Sequence, residues 1–192
     1  MNPKSKKIRC EWCGTDPLYV AYHDKEWGVP VYDDAKLFEF LMLETFQAGL
    51  SWITILRKCE NFRKAFDNFD YQKISKYNKT KFDELIQDAG IIRNKLKIKA
   101  TINNAQAFIA IQKEFGSFSQ YIWEFTNGKP IVNSFESLKE IPAQTALSDK
   151  LSDDLKKRGF KFVGSMVIYA HMQATGMVNN HIQSCFRYKA FS

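Results

Sequence analysis

Between Asp154 and Cys185 the chain reads DLKKRGFKFVGSMVIYAHMQATGMVNNHIQSC, and this stretch constrains the fold more than any other. Leu151 and Leu155 are four residues apart and mark one apolar helix face, and Gly159 is a left-handed stop after Lys156, Lys157 and Arg158. A second helix is expected to begin at Gly164 or Ser165. Val167, Ala170, His171 and Ala174 follow the spacing of a buried face, and Gly176 ends it. Two helices joined by a short turn predict a helical hairpin over 148–176. Its second helix N-terminus turns unpaired N–H groups outward, as a phosphate oxygen requires. The same basic turn also reads as an ordinary solvated surface.

The rest of the chain carries the same signature. No convincing series of alternating strands, internal repeat or linker interrupts its 192 residues, so a single all-α domain is expected. Basic residues number 28 against 21 acidic, a net +7 that favours a polyanionic partner. There is no run of 18 apolar residues and no apolar core to the basic N-terminus, so neither a membrane span nor a secretory signal is expected, and the cytoplasm is the expected compartment. Residues 1–9 read as a mobile basic arm. In the cytosol Cys10, Cys13, Cys59 and Cys185 stay reduced, so paired use points to metal rather than disulfide.

From Cys10 onward, Trp12, Tyr19, Tyr22 and Trp27 crowd around His23 in a turn-rich segment. Asp33 and Asp34 are placed to cap the next helix, where Leu37, Phe40, Leu41 and Glu44 fall at i, i+3, i+4 and i+7. That spacing turns the Glu44 carboxylate along an apolar face, which is costly without a partner. It is either a satisfied core residue or a pocket carboxylate. After Gly49 and Leu50 a stripe of Trp52, Ile55, Leu56, Cys59 and Phe66 is expected, with Cys59 in the core. Thr80 and Asp83 suggest a capping box, Ile98, Ile102, Ala105 and Ile109 a long buried face, and Ser148 with Asp149 the cap of the hairpin's first helix. Arg93, Asn94, Lys95 and Lys97 form a second candidate turn for phosphate contact. His171 reads as a core histidine with satisfied ring nitrogens.

His181 and Cys185 lie four apart, on one face if the chain there is helical, and Cys10 and His23 stand at the other end of the sequence. Together they form a Cys2His2 set suited to tetrahedral zinc, which would clip segments 10–23 and 181–185 together with no open position for water. Cys13 leaves the choice of thiolate open on spacing alone.

DPLYVAYHDKEWGVP, LETFQAGLSWITIL, DAGIIRNKLKI, KKRGFKFVG and the closing N-H-x-x-x-C resemble, in order, the bacterial 3-methyladenine DNA glycosylase I family. The resemblance implies a helix-hairpin-helix fold that removes N3-methyladenine from alkylated double-stranded DNA. It further implies one structural zinc ion on Cys10, His23, His181 and Cys185, a monomer, no membrane and no nucleotide cofactor. Glu44, the candidate catalytic residue, and Tyr22 would hydrogen-bond the extruded base, Trp52 would stack on it, and Tyr19, Trp12 and Trp27 would complete an aromatic wall. The DNA contacts would come from Lys157, Arg158, Gly159, Lys161, Gly164 and Ser165 of the hairpin, and Leu50, with Gly49 beside it, is a candidate for filling the vacated base position that reads equally as a core leucine. Three departures from the wider superfamily matter. Phe162 stands where its hairpin carries a first glycine, Met166 where strand-cutting members carry lysine, and Asn179 where a catalytic aspartate is placed. Met166 implies a monofunctional glycosylase, Phe162 leaves the hairpin geometry open, and Asn179, which cannot act as a base, rests catalysis on the leaving group, the pocket and the phosphates. The rival reading is a non-catalytic zinc-containing module that binds damaged DNA.

Overall fold

The structure, a computed structural model, describes residues 7–190. Among these residues it is helical, with α1 (Pro17–Lys25), α2 (Asp34–Gln47), α3 (Trp52–Leu56), α4 (Cys59–Ala65), α5 (Tyr71–Ile74), α6 (Lys79–Leu85), α7 (Lys95–Phe115), α8 (Phe118–Glu124), α9 (Ala146–Lys157) and α10 (Ser165–Ala174). The one departure from all-α is a two-residue parallel pairing of β1 (Ile131–Val132) with β2 (Val178–Asn179). No helix among the described residues is long and apolar enough to cross a membrane.

Helix α2 is the axis of the core. Every residue from Leu37 to Phe46 is buried, and the helix packs against α3, α7, α8 and α10. Asp33 caps it by accepting from Lys36 N. The neighbouring Asp34 instead accepts from Phe118 N and Ser119 N, tying the start of α8 to the start of α2. Phe38, Phe46, Phe62, Phe66, Phe108 and Phe118 fill the surrounding volume, with Phe108 and Phe118 stacked at 4.2 Å between ring centroids.

The far end of α2 removes Lys97 from the expected second phosphate-contacting turn, whose Arg93, Asn94 and Lys95 are exposed. Lys97 is buried, and its Nζ donates to Phe46 O at 2.9 Å and Ala48 O at 2.8 Å, capping the carbonyl end of α2. Burial pulls its pKa down. Each such bond to a charged donor contributes about 1.5–3 kcal/mol, and a lysine spent in this way does not meet solvent phosphates. Asn94 caps α7 through Leu96 N and Lys97 N.

Other expectations shift for similar local reasons. Asn78 caps α6 rather than Thr80, accepting from Lys81 N, so the helix starts at Lys79 and Thr80 lies inside it. Thr145 caps α9 in a reciprocal box with Ser148, so the helix starts before Ser148 and Asp149. The buried side of α7 is Ile98, Thr101, Asn104, Ala105, Phe108 and Ile111, with Ile102 and Ile109 only half-buried. The expected stripe after Trp52 is split between α3 and α4, which leaves Cys59 half-buried rather than in the core. His171 is fully buried, but its ring nitrogens have no hydrogen-bond partner, and burial pulls its pKa down to about 3. It is a neutral, unsatisfied core histidine.

Of the arm expected to be mobile, residues 1–6 lie outside the described residues. Ile8 O accepts from Phe186 N at 3.0 Å, and Arg9 grips Asp24 through two bonds of 2.8 and 2.7 Å, so 8 and 9 are docked. The C-terminal end of α10 closes on the loop after α1. Gly28 N donates to Gln173 O and Val31 N to Thr175 O. A Cβ at Gly176 would lie 2.4 Å from Pro30 N, so only glycine allows this approach.

Candidate functional site: a lined pocket beside a Cys2His2 cluster

Helix α1, the segment before it, α2, α3 and α10 enclose a cavity of about 210 Å³. Its wall contains all six residues expected to contact a base: Trp12, Tyr19, Tyr22, Trp27, Glu44 and Trp52. Trp12 meets Tyr19 edge-on at 5.0 Å and Trp27 at 4.9 Å, and Tyr22 faces Trp52 at 5.4 Å between centroids. Gln47, Ala170 and Gln173 also line it and were not anticipated. The spacing of Ala170 and Gln173, three apart on α10, carried the signal that they share a face.

Glu44 is 4% exposed and makes no hydrogen bond among the described residues. Burial alone holds its pKa up at about 8. The resulting neutral acid faces a cavity whose aromatic donors are also unsatisfied. The indole Nε1 atoms of Trp12 and Trp52 are buried without a partner among the described residues. An orphaned carboxyl, two orphaned N–H donors and ring faces are a set that a flat, polar-edged ligand satisfies. A cationic ligand would also draw the Glu44 carboxyl into its ionised form.

Behind the wall, Cys10, His23, His181 and Cys185 are all buried, with ligand atoms within 4.8 Å of one another. Cys10 Sγ lies 3.6 Å from His181 Nδ1, and Cys185 Sγ lies 3.5 Å from both His23 Nε2 and His181 Nδ1. A tetrahedral metal with bonds of about 2.3 Å to sulfur and about 2.0 Å to nitrogen has S···N edges of about 3.5 Å. The donors therefore already stand at the corners a metal ion needs. The outward ring nitrogens are held as well: His23 Nδ1 by Asp24 Oδ1 at 2.9 Å, and His181 Nε2 by Trp27 O at 3.2 Å. Cys13 is outside the cluster, with its Sγ near Gly14 O, so the geometry selects Cys10. His181 and Cys185 converge through an irregular turn rather than a helix. Asn179 shapes that turn by accepting from His181 N and donating to Tyr188 O. It is fully buried and satisfied, so it serves structure.

The hairpin lies between α9 and α10. Lys157, Lys161 and Gly164 are exposed, and Gly159 and Ser165 half-buried. Ser165 Oγ bonds Ser148 Oγ at 2.8 Å. Phe162 takes the left-handed φ of 58° that glycine would adopt more easily, so the turn forms without the glycine at some steric cost. Arg158 differs from the expected contact set. It pairs with Asp154 and Glu114, both at 2.7 Å, and lies over Phe115 and Tyr121. Leu50 sits 37% exposed on the tip of a turn held by Gln47 Nε2 on Leu50 O at 2.7 Å, next to the pocket wall.

A model of the methyladenine glycosylase family matches residues 12–188. The chain belongs to this family. It is 50% identical over 180 residues to DNA-3-methyladenine glycosylase 1 of Escherichia coli, covering 94% of this chain and 96% of that protein. It is 48% identical to the DNA-3-methyladenine glycosylase of Haemophilus influenzae, over 92% and 96% of the two chains. A solved structure of a 3-methyladenine DNA glycosylase I variant in complex with 3-methyladenine superimposes with a TM-score of 0.93. It is 34% identical and covers 96% of this chain and 99% of that one.

The raised pKa of Glu44 has a measurable signature. The fold favours the protonated acid, so this contribution is intact below the ordinary carboxyl value of 4.5 and is lost as pH rises through about 8. The full cost at high pH is on the order of 5 kcal/mol. In urea unfolding, Glu44→Gln should match the wild type at pH 4 and be the more stable protein at pH 9. Equal offsets at both pH values would contradict the assignment.

Proposed function

We infer that this protein hydrolyses the N-glycosidic bond of N3-methyladenine in alkylated duplex DNA, releasing the free base and leaving the strand intact. The observation that carries the reading is the buried, unbonded Glu44 in an aromatic cage beside two orphaned indole donors.

Methylation at N3 makes the base cationic, which weakens its bond to the sugar and favours its extrusion from the stack. Inside the cage the rings attract the cation, and its charge offsets the desolvation that keeps Glu44 neutral when alone. The carboxyl ionises, and a charge-assisted pair forms that unmodified, neutral adenine cannot match. Water then adds to the anomeric carbon as the C–N bond breaks and its electron pair leaves with the base, which departs neutral, and the proton lost by the added water passes to solvent. With the cation gone, Glu44 regains its proton and its grip on the product weakens. Met166 offers no amine at the position where strand-cutting members carry lysine, which supports a monofunctional enzyme.

For DNA contact we assign Lys157, Lys161, Gly164 and Ser165 at the hairpin and Leu50 with Gly49 at the vacated base position. The exposure of Lys157, Lys161, Gly164, Gly49 and Leu50 and the short turn into the N-terminus of α10, where Ser165 is half-buried, support this. The cluster of Cys10, His23, His181 and Cys185 would hold one zinc ion. Four protein donors leave no site for water, so the metal would supply cross-linking rather than chemistry.

Methylated duplex DNA incubated with the protein should release N3-methyladenine with strands intact until alkali is added. Glu44→Gln and Trp52→Ala should each lower kcat/KM by about 30- to 100-fold, equivalent to about 2–3 kcal/mol of lost contact. Binding without base release by the wild type would favour a recognition module.

Dialysis against a chelator, or Cys185→Ala, should lower the thermal midpoint and activity together, with zinc restoring both to the chelated wild type. A metal-free protein that keeps its midpoint but loses chemistry would contradict a structural ion.

A further inference from the structure

Two cavities run along the outer side of α7, of about 410 Å³ and 520 Å³, and they share Lys99 and Asn103. The first lies against the hairpin, where Leu96, Ala100 and Phe162 form an apolar floor beside Lys161. The second lies between α7 and α6, where Tyr77, Phe82 and Ile102 carry the floor onward beside Lys79. They form one groove.

Its floor is unusually apolar for exposed surface. Leu96 is 68% exposed and Phe162 40%, and Phe162 keeps that position at a left-handed φ of 58°. Its charge has one sign. Among the described residues no acidic side chain lines either cavity, and Lys99 and Lys161 are exposed and make no salt bridge. Lys79 is paired with Asp83, so Lys99 is the uncompensated charge at the midpoint.

The groove is also continuous with the hairpin. Asn103 Nδ2 donates to Gly159 O at 2.7 Å, while Asn104 donates to Lys161 O at 3.0 Å and accepts from Lys161 N at 2.8 Å. Those bonds fix the turn against α7 where the groove begins. Its path from Leu96 to Gln106 is about 15 Å at the rise of a helix, which matches about four base-pair steps along a duplex strand. An apolar floor with lysines and no acids suits a sugar–phosphate strand, with deoxyribose faces on Leu96 and Phe162 and phosphates at Lys99 and Lys161.

We propose that the α6–α7 groove is a second DNA contact, which holds the backbone of the duplex arm flanking the lesion on the side of the hairpin. The proposal rests on the reading of the hairpin as the primary contact. Lys99 carries no information about the damaged base. It lengthens the footprint and adds to the salt dependence of binding.

The test uses the full chain and a fluorescent duplex bearing a tetrahydrofuran abasic analogue, with binding followed by anisotropy from 50 to 200 mM salt. Lys99→Gln should reduce the slope of log K against log salt by about 0.9. Wild-type affinity should then fall about 3.5-fold more than that of the variant across this range. Shortening one duplex arm should abolish the difference, shortening the other should not, and Lys161→Gln should weaken binding to every duplex. An unchanged slope for Lys99→Gln on the full duplex, or a difference that survives both truncations, would overturn the groove proposal alone. If the wild type has no salt-dependent affinity for duplex and Lys161→Gln changes nothing, the hairpin reading fails with it. Thermal midpoints of the variants check that a loss is not unfolding.

Discussion

The desolvated carboxyl of Glu44 is the interaction around which the pocket makes physical sense. Helix α2 buries ten consecutive residues, and nine of them gain from burial or find partners. Glu39, for example, is held by Lys36 and Arg63, and Thr45 bonds back to Met42 O. Glu44 gains nothing of the kind. A group that costs stability in the resting protein and recovers it on meeting a cation couples ligand charge directly to binding. The fixed end of α2, capped by the buried Lys97, keeps that carboxyl from relaxing toward solvent.

The rings around Glu44 depend on contacts made elsewhere. Trp12 follows Cys10 by two residues and packs at 5.4 Å on His23, Tyr22 precedes His23, and the Trp27 ring lies edge-on to His181 at 4.5 Å. Every wall residue before α2 except Tyr19 is thus next to a member of the Cys2His2 cluster in sequence or in space. The cluster joins the two ends of the described chain, with Phe186 N on Ile8 O alongside it. Closure of the ends and shape of the pocket are one structural problem, because the cluster residues and the wall residues share the same segments.

Much of this was legible in the sequence, and what was not had physical reasons. The three- and four-residue spacing marks Leu37, Phe40, Leu41 and Glu44 as buried, but α3, α7, α8 and α10 pack around α2 and bury every residue from Leu37 to Phe46, which is a tertiary property that spacing does not carry. Four of the five family blocks supply residues to the pocket, the cluster or the hairpin. The choice between Cys10 and Cys13 needed the folded geometry, since both thiols precede the same helix. The burial of Lys97 is not legible in the sequence, because a buried lysine in a basic run has no distinguishing neighbour. Arg158 is different: Asp154, four residues earlier, is a helical ion-pair partner that the sequence displays. Gln47 and Gln173 are polar residues on helices; the spacing of Gln173 from Ala170 shows only that these two share a face, and the approach of α2 and α10 makes that face and Gln47 pocket wall.

The central claim is that a cation turns a neutral buried acid into a carboxylate. Its most direct test is calorimetric titration of the protein at pH 7 with 3,9-dimethyladeninium, a permanently cationic base, in buffers of different ionisation enthalpy. The account predicts release of close to one proton per site by the wild type and none by Glu44→Gln. Binding of the cation by the wild type with no proton released would mean that Glu44 is already ionised or stays neutral, and would contradict the account.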